Sequence, residues 1–228
     1  MVQKSKPQND KSSKTTVLIV DDHPIVRQGL SELVNNEEDF NVCGQAEDAH
    51  QAMALIKSLK PQMIIVDISL KETSGIDLIK DIKTNYPQIM ILALSMHDET
   101  LYAERALRAG AQGYVMKTEA IEKVIDALRK IRGGRIFVSE NMAGKLMHKL
   151  VGGGPEAFGS AIDNLSDREL EVFSLIGEGF GTRQIAERLH LSIKTIETYR
   201  AHIKDKLNLA DASELLQYAI RWVNSGKN

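Results

Sequence analysis

Three carboxylates mark where this chain could do chemistry: Asp21 and Asp22, side by side, and Asp67. Each follows a short apolar run rich in β-branched residues, Val17-Leu18-Ile19-Val20 for the pair and Met63-Ile64-Ile65-Val66 for Asp67. Runs of this kind form buried parallel strands. The residue just past the carboxyl end of such a strand faces the crevice where open α/β sheets bind ligands. Three anions in a partly dry crevice repel one another. A cation among them is therefore expected, and the all-oxygen donor set points to Mg2+.

Two more strand ends enlarge the set. Ser95 follows Ile89-Met90-Ile91-Leu92-Ala93-Leu94, and Lys117 follows Gly113-Tyr114-Val115-Met116. Carboxylates, a hydroxyl and an ammonium on one sheet edge suit phosphoryl transfer to a carboxylate. Asp67 would be the nucleophile, with Asp21 and Asp22 holding the metal and Lys117 and Ser95 meeting phosphoryl oxygens. Any one of these residues alone reads as a solvated strand cap or an exposed charge. All five at strand ends, in this order, supply the context that confirms a motif. A phosphohydrolase working through an aspartyl phosphate would place a second Asp two residues after its nucleophile, as general acid. Ser69 stands there instead, and His23 and His97 read as solvent-facing loop histidines. The chain is thus expected not to be a turnover enzyme, apart from slow self-dephosphorylation at Asp67.

The elements that must position these residues alternate from Thr15 to about Arg132. Helices are predicted after Pro24 (apolar stripe Ile25, Val26, Leu30, Leu33, Val34), over Asp48–Leu59 and after Ser74 (Ile76, Leu78, Ile79, Ile82). Two more follow, over Asp98–Ala109 and up to Arg132, with a second strand at Asn41–Ala46. Five βα repeats imply a doubly wound α/β domain with a five-stranded parallel sheet. Gly133-Gly134 opens a linker, 133–163, that holds a short helix over Ser139–Leu150 and the flexible Gly152-Gly153-Gly154-Pro155.

Beyond Ile162 the β pattern ends, and residues 164–228 read as a small all-α domain with stretches at Ser166–Glu178, Thr182–Leu189, Ser192–Leu207 and Ala212–Val223. Ser166-Asp-Arg-Glu169 is a capping box, and Thr182 and Ser192 are the next expected N-caps. In the third stretch Ile196, Tyr199, Ile203 and Leu207 fall at helical spacing and should face inward. The opposite stripe carries Lys194, Glu197, Thr198, Ala201 and Lys204, with Arg200 and Lys206 beside it. Small and polar side chains flanked by cations are what a helix needs to enter a major groove. Thr182–Leu189 has the length of the first helix of a helix-turn-helix. Charge alone does not decide for DNA: residues 164–228 hold nine Lys+Arg and nine Asp+Glu, although 192–208 holds four cations against two anions. Trp222 is expected in the core.

Composition sets the outer bounds. The 228 residues are 43% hydrophobic with a net charge of −2, which singles out no partner. Cys43 is the only cysteine, so no disulfide framework exists and a cytoplasmic home is expected. Residues 1–14 are polar and lysine-rich without an apolar core, which predicts a disordered tail rather than a signal peptide. No apolar run approaches the length of a membrane span, so no membrane partner is expected.

Residues 15–132 resemble the receiver domain of bacterial two-component response regulators, through Asp21-Asp22, Asp67, Gly75, Leu94-Ser95 and Lys117. The resemblance implies sheet order 2-1-3-4-5, a sensor histidine kinase as phosphodonor, and Asp67 as phospho-acceptor. It also implies Ser95 and Tyr114 as switch residues and the Ser69 backbone carbonyl as a further Mg2+ ligand. Two positions depart from the family: Lys71 stands where Pro is common, and Met96 where Ala or Gly is common. Met96 would narrow access for the hydrolytic water, which predicts a long-lived acyl phosphate. Residues 164–210 resemble the LuxR/FixJ/NarL-type DNA-binding domain, through Leu165-Ser-Asp-Arg-Glu-Leu-Glu171, Gly179, Ile185-Ala186 and Lys194-Thr-Ile-Glu-Thr-Tyr-Arg200. That implies base-facing Glu197, Thr198 and Ala201, with Thr182, Lys194, Thr195, Arg200 and Lys204 in flanking or phosphate contacts. It further implies a homodimer on two half-sites of double-stranded DNA, paired around Ala212–Gln217. The function implied is transcription regulation switched by phosphorylation. A phosphorylation-gated module whose helical domain binds protein or RNA is the alternative.

Overall fold

In the computed structural model, residues 14–70, 73–96, 99–119, 121–151 and 161–225 are described. Lys71, His97, residues 1–13 of the expected tail and the glycine-rich 152–160 lie outside them. The first half alternates β1 (Thr15–Val20), α1 (Pro24–Asn35), β2 (Phe40–Ala46), α2 (Ala49–Leu59), β3 (Met63–Asp67) and α3 (Gly75–Asn85). It continues through β4 (Met90–Ser95), α4 (Glu99–Ala109), β5 (Gly113–Met116) and α5 (Ile121–Arg132). The sheet is parallel in the order β2-β1-β3-β4-β5, as the resemblance implies.

Strand alternation sends successive side chains to opposite faces, and both faces are covered. Val17 and Ile19 of β1 join Met63, Ile65, Leu92, Leu94 and Val115 under α1 and α5. Leu18 and Val20 join Ile64, Val66, Ile91, Ala93 and Tyr114 under α2, α3 and α4. The helix starts follow local chemistry: Asp48 caps α2 by accepting from the Gln51 amide, and Ser74 caps α3 by accepting from the Ile76 amide. Two expected apolar stripes need correction. Ile25 is 88% exposed in the first turn of α1, and Leu59 is 40% exposed at the last residue of α2.

Gly75 shows how closely α3 packs on β3. A Cβ there would lie 2.0 Å from the Asp67 carbonyl oxygen and 2.6 Å from the Ile68 Cα, both backbone atoms that cannot step aside. Gly75→Ala is expected to cost about 1–3 kcal/mol in urea unfolding. It should also displace the end of β3 and so impair phosphoryl uptake at Asp67.

Residues past Gly134 add to the sheet edge rather than leaving it. Phe137 bridges Gly113, its carbonyl accepting from the Tyr114 amide at 2.9 Å. Helix α6 (Glu140–Val151) then packs against α4, with Met142 buried and the Ser139 amide donating to Glu99 at 2.8 Å.

The second half is helical: a short 3-10 turn (Ala161–Asn164), then α7 (Asp167–Gly177), α8 (Thr182–Arg188), α9 (Ile193–Leu207) and α10 (Ala212–Ser225). The Ser166/Glu169 capping box forms as expected, and Ser192 caps α9. Thr182 does not cap α8; Gly181 holds that position and Thr182 is the first helical residue. Ile196, Ile203 and Leu207 are buried and Tyr199 is half-buried against the core. Trp222 is half-buried, its ring 5.3 Å from Phe173 on α7. Among the described residues no helix is long and apolar enough to cross a membrane.

Candidate functional site

All five strand-end residues lie at one edge of the sheet, because parallel strands end together. The register pairs Val20 with Val66, Asp67 with Leu94 and Ser95 with Met116, which brings Asp21, Asp67, Ser95 and Lys117 to neighbouring strand ends. Asp21, Asp22 and Asp67 are 1%, 5% and 1% exposed. Lys117 Nζ lies 2.6 Å from Asp67 Oδ2 and 2.7 Å from Asp21 Oδ2. The other Asp67 oxygen accepts from the Ser69 amide at 3.0 Å. Ser95 is fully buried, and its carbonyl accepts from the Lys117 amide at 2.6 Å.

The electrostatics follow from this packing. Burial pushes the Asp67 carboxyl up and Asp21 adds to the rise, while Lys117 and the Ser69 amide pull it down; the net direction is up. Burial pulls the Lys117 ammonium down, but Asp67 and Asp21 outweigh it and raise it. The ammonium is therefore held charged between two carboxylates. Asp21, Asp22, His23 and Asp67 each offer one ligand atom, all within 4.8 Å of one another. The Ser69 hydroxyl beside them is buried without a hydrogen-bond partner among the described residues. Clustered carboxylates and an unsatisfied buried hydroxyl fit a hard divalent cation. His23, read from the sequence as a loop histidine, joins this cluster; its place directly after Asp21-Asp22 was the available clue.

Tyr114 lies 1% exposed on the α4 side of the sheet. Tyr102 of α4 is buried close by, and burial, Glu171 and Tyr114 all push its hydroxyl well above the ordinary value. Glu171 belongs to α7, so the helical domain reaches this face. Arg168 of α7, 9% exposed, pairs with Glu171 at 2.6 Å and donates to the carbonyls of Leu70 and Thr73, in the loop after Asp67. Asp167 pairs with Lys80 at 3.3 Å and Arg105 at 3.1 Å, and Arg105 also donates to the Leu165 and Ile162 carbonyls. Between the halves lies a cavity of about 420 Å³, walled by Asp22, Ser69 and Met96 on one side and by Arg168, Arg188 and His190 on the other. The helical domain therefore roofs the carboxylate cluster. The sequence pattern does not reveal this roof: Arg168 stands in it only within a capping box, Glu171 only within the LuxR-type motif, and Arg105 in no motif at all.

The α9 stripe is on the surface. Lys194, Glu197, Thr198 and Ala201 are exposed; Thr182, Thr195, Arg200 and Lys204 are half-buried. Lys206 is committed elsewhere, pairing with Glu169 at 2.6 Å. Burial pushes the Glu169 carboxyl up, but Lys206 and Ser166 outweigh it and hold it below the ordinary range. On α10, Leu215 and Ala219 are buried, while Leu216, Gln217 and Ile220 are exposed.

Comparisons with known proteins agree with this geometry. Residues 17–129 match the response regulator receiver domain, and residues 163–219 match the bacterial regulatory proteins of the luxR family. The oxygen regulatory protein NreC of Staphylococcus carnosus (strain TM300) is 35% identical over 209 residues, 90% of this chain and 96% of that protein. Its counterpart in Staphylococcus aureus (strain JH9) is 34% identical over the same shares. Among solved structures, RcsB of Salmonella typhimurium is 32% identical with a TM-score of 0.55, covering 90% of this chain and 97% of that one. An RcsB–DNA complex is 31% identical with a TM-score of 0.55, covering 90% and 98%. These relatives are regulators rather than turnover enzymes. The chain belongs to the two-component response regulators of the NarL/FixJ type, which join a receiver domain to a LuxR-type helix-turn-helix.

Proposed function

We propose that Asp67 accepts a phosphoryl group from a sensor histidine kinase or a small phosphodonor, and that this controls how the helical domain engages double-stranded DNA. The observation that carries the reading is Lys117 bridging Asp67 and Asp21 inside the buried carboxylate cluster. Lys117 partly offsets the burial that raises the Asp67 carboxyl, and the Ser69 amide orients it. A carboxylate oxygen attacks phosphorus, the bond from phosphorus to the donor breaks, and the donor leaves with its electron pair. Asp21, Asp22, Asp67 and the Ser69 carbonyl would hold Mg2+, which neutralises phosphoryl oxygens when bound.

The new dianion then draws Lys117 and the Ser95 hydroxyl toward itself. Tyr114 lies on the same side of the sheet as Tyr102, and Tyr102 lies near Glu171. The rearrangement therefore passes beneath α4 to the α7 contact and loosens it. In this reading residues 15–132 form the receiver, 133–163 the connecting segment and 164–228 the DNA-binding unit, working in the cytoplasm.

For DNA, Glu197, Thr198 and Ala201 face base edges, while Thr182, Lys194, Thr195, Arg200 and Lys204 meet phosphates or flank them. Leu216 and Gln217 lie on the α10 face that would pair two copies on two half-sites. The solved RcsB–DNA complex supports DNA as the target. A gel shift on a palindromic site should weaken with salt and be lost in the Arg200→Ala, Lys204→Ala double variant. Either single variant, losing one phosphate contact, should reduce the salt slope by about 1. Unchanged binding by the double variant would reject α9 as the reading helix, and binding to protein or RNA instead would favour an interaction module.

A further inference from the structure

His23 has no role in the function proposed above, yet its ring sits among the metal-binding acids. Its Nδ1 lies 2.7 Å from Asp22 Oδ1 and 3.3 Å from Asp21 Oδ1. Adjacent corners of an octahedron with bonds of about 2.1 Å stand about 3.0 Å apart. The two distances bracket that value. His23 occupies the N-cap of α1, yet its side chain makes no capping hydrogen bond, so the imidazole is not spent on starting the helix. Its backbone amide donates to Asp21 Oδ1 at 2.8 Å and Pro24 follows directly, so the residue is held from both sides.

We propose that His23 Nδ1 is a ligand of the cation held by Asp21, Asp22 and Asp67, which makes this a mixed nitrogen–oxygen site. This rests on the reading of that cluster as a divalent-cation site. Imidazole adds little for Mg2+, which keeps to oxygen and water, but strengthens binding of Mn2+, Co2+ and Ni2+. The site then ranks these ions above Mg2+ by more than the general order of divalent affinities. The competing account is a plain hydrogen bond from the ring to Asp22.

Pulsed EPR on Mn2+-loaded full-length protein separates the two. Imidazole ligation is expected to give nitrogen-14 modulation, absent in His23→Leu. In the same variant Mn2+ affinity should fall about tenfold or more, and Mg2+ affinity should change far less. His23 is 58% exposed at its side chain, so the variant should fold, which a matching thermal melt checks. Mn2+ bound with no nitrogen modulation in the wild-type protein would overturn the inference while leaving the cation site intact. No Mn2+ binding at all, with Asp22→Asn indistinguishable from wild type, would remove the cation site and the inference together.

Discussion

Asp67→Ala should gain no phosphoryl mass from a small acyl or amido phosphate donor, under conditions where the wild-type protein is modified once. The expected effect is complete loss, because the variant lacks the carboxylate at the end of β3 that pairs with Lys117 and accepts from the Ser69 amide. Lys117→Ala should be impaired rather than dead. It leaves the nucleophile but removes the cation that offsets the burial of Asp67. Mass spectrometry of the intact protein reads both results, and a phosphoryl group on Asp67→Ala would end the assignment. The same measurement followed in time tests Met96. Met96 is 60% exposed and lines the cavity over the cluster, a position from which it would hinder an incoming water. Met96→Ala should shorten the lifetime of the phosphorylated state.

Arg168→Ala is expected to release the helical domain from the receiver. Arg168 is buried against Glu171, itself 4% exposed, and donates to two carbonyls of the loop after Asp67. Breaking a buried pair by removing one partner costs about 3–5 kcal/mol. Each 1.4 kcal/mol is a factor of ten, so the docked population should fall by about a hundredfold or more. Small-angle scattering should report an expanded particle, and protease cleavage within 152–160 should accelerate. With the roof off the carboxylate cluster, phosphoryl uptake should also become faster. An unchanged scattering profile together with unchanged uptake would show that this contact does not hold the domains together.

The receiver was legible because its signals are local. A short apolar strand that ends in a charged or hydroxyl side chain declares both its geometry and its chemistry, and Asp21, Asp67, Ser95 and Lys117 all end such strands. Ser74, Ser166 and Ser192 declared helix starts by the same directness. What stayed hidden depends on partners distant in sequence. Lys206 reads as a cation beside the α9 stripe, yet Glu169, 37 residues away, holds it. Arg168 meets Leu70 across 98 residues, and no periodicity records such a pairing. Ile25 matched a helical stripe, but a stripe does not tell which of its members in the first turn stay exposed.

Lys194, Glu197, Thr198 and Ala201, the α9 residues proposed to meet DNA most closely, are exposed while α7 is docked. A ligand that binds two arrangements equally cannot shift the balance between them. A solitary half-site would thus be bound without altering the signalling state. Only a DNA site whose two halves demand an α10 pairing denied to the docked form would select the released one. Linkage is reciprocal at equilibrium. Such a site would favour phosphorylation of Asp67 by the factor with which phosphorylation favours the site. The spacing of operator halves then becomes an input to the phosphorylation level, and not merely its destination.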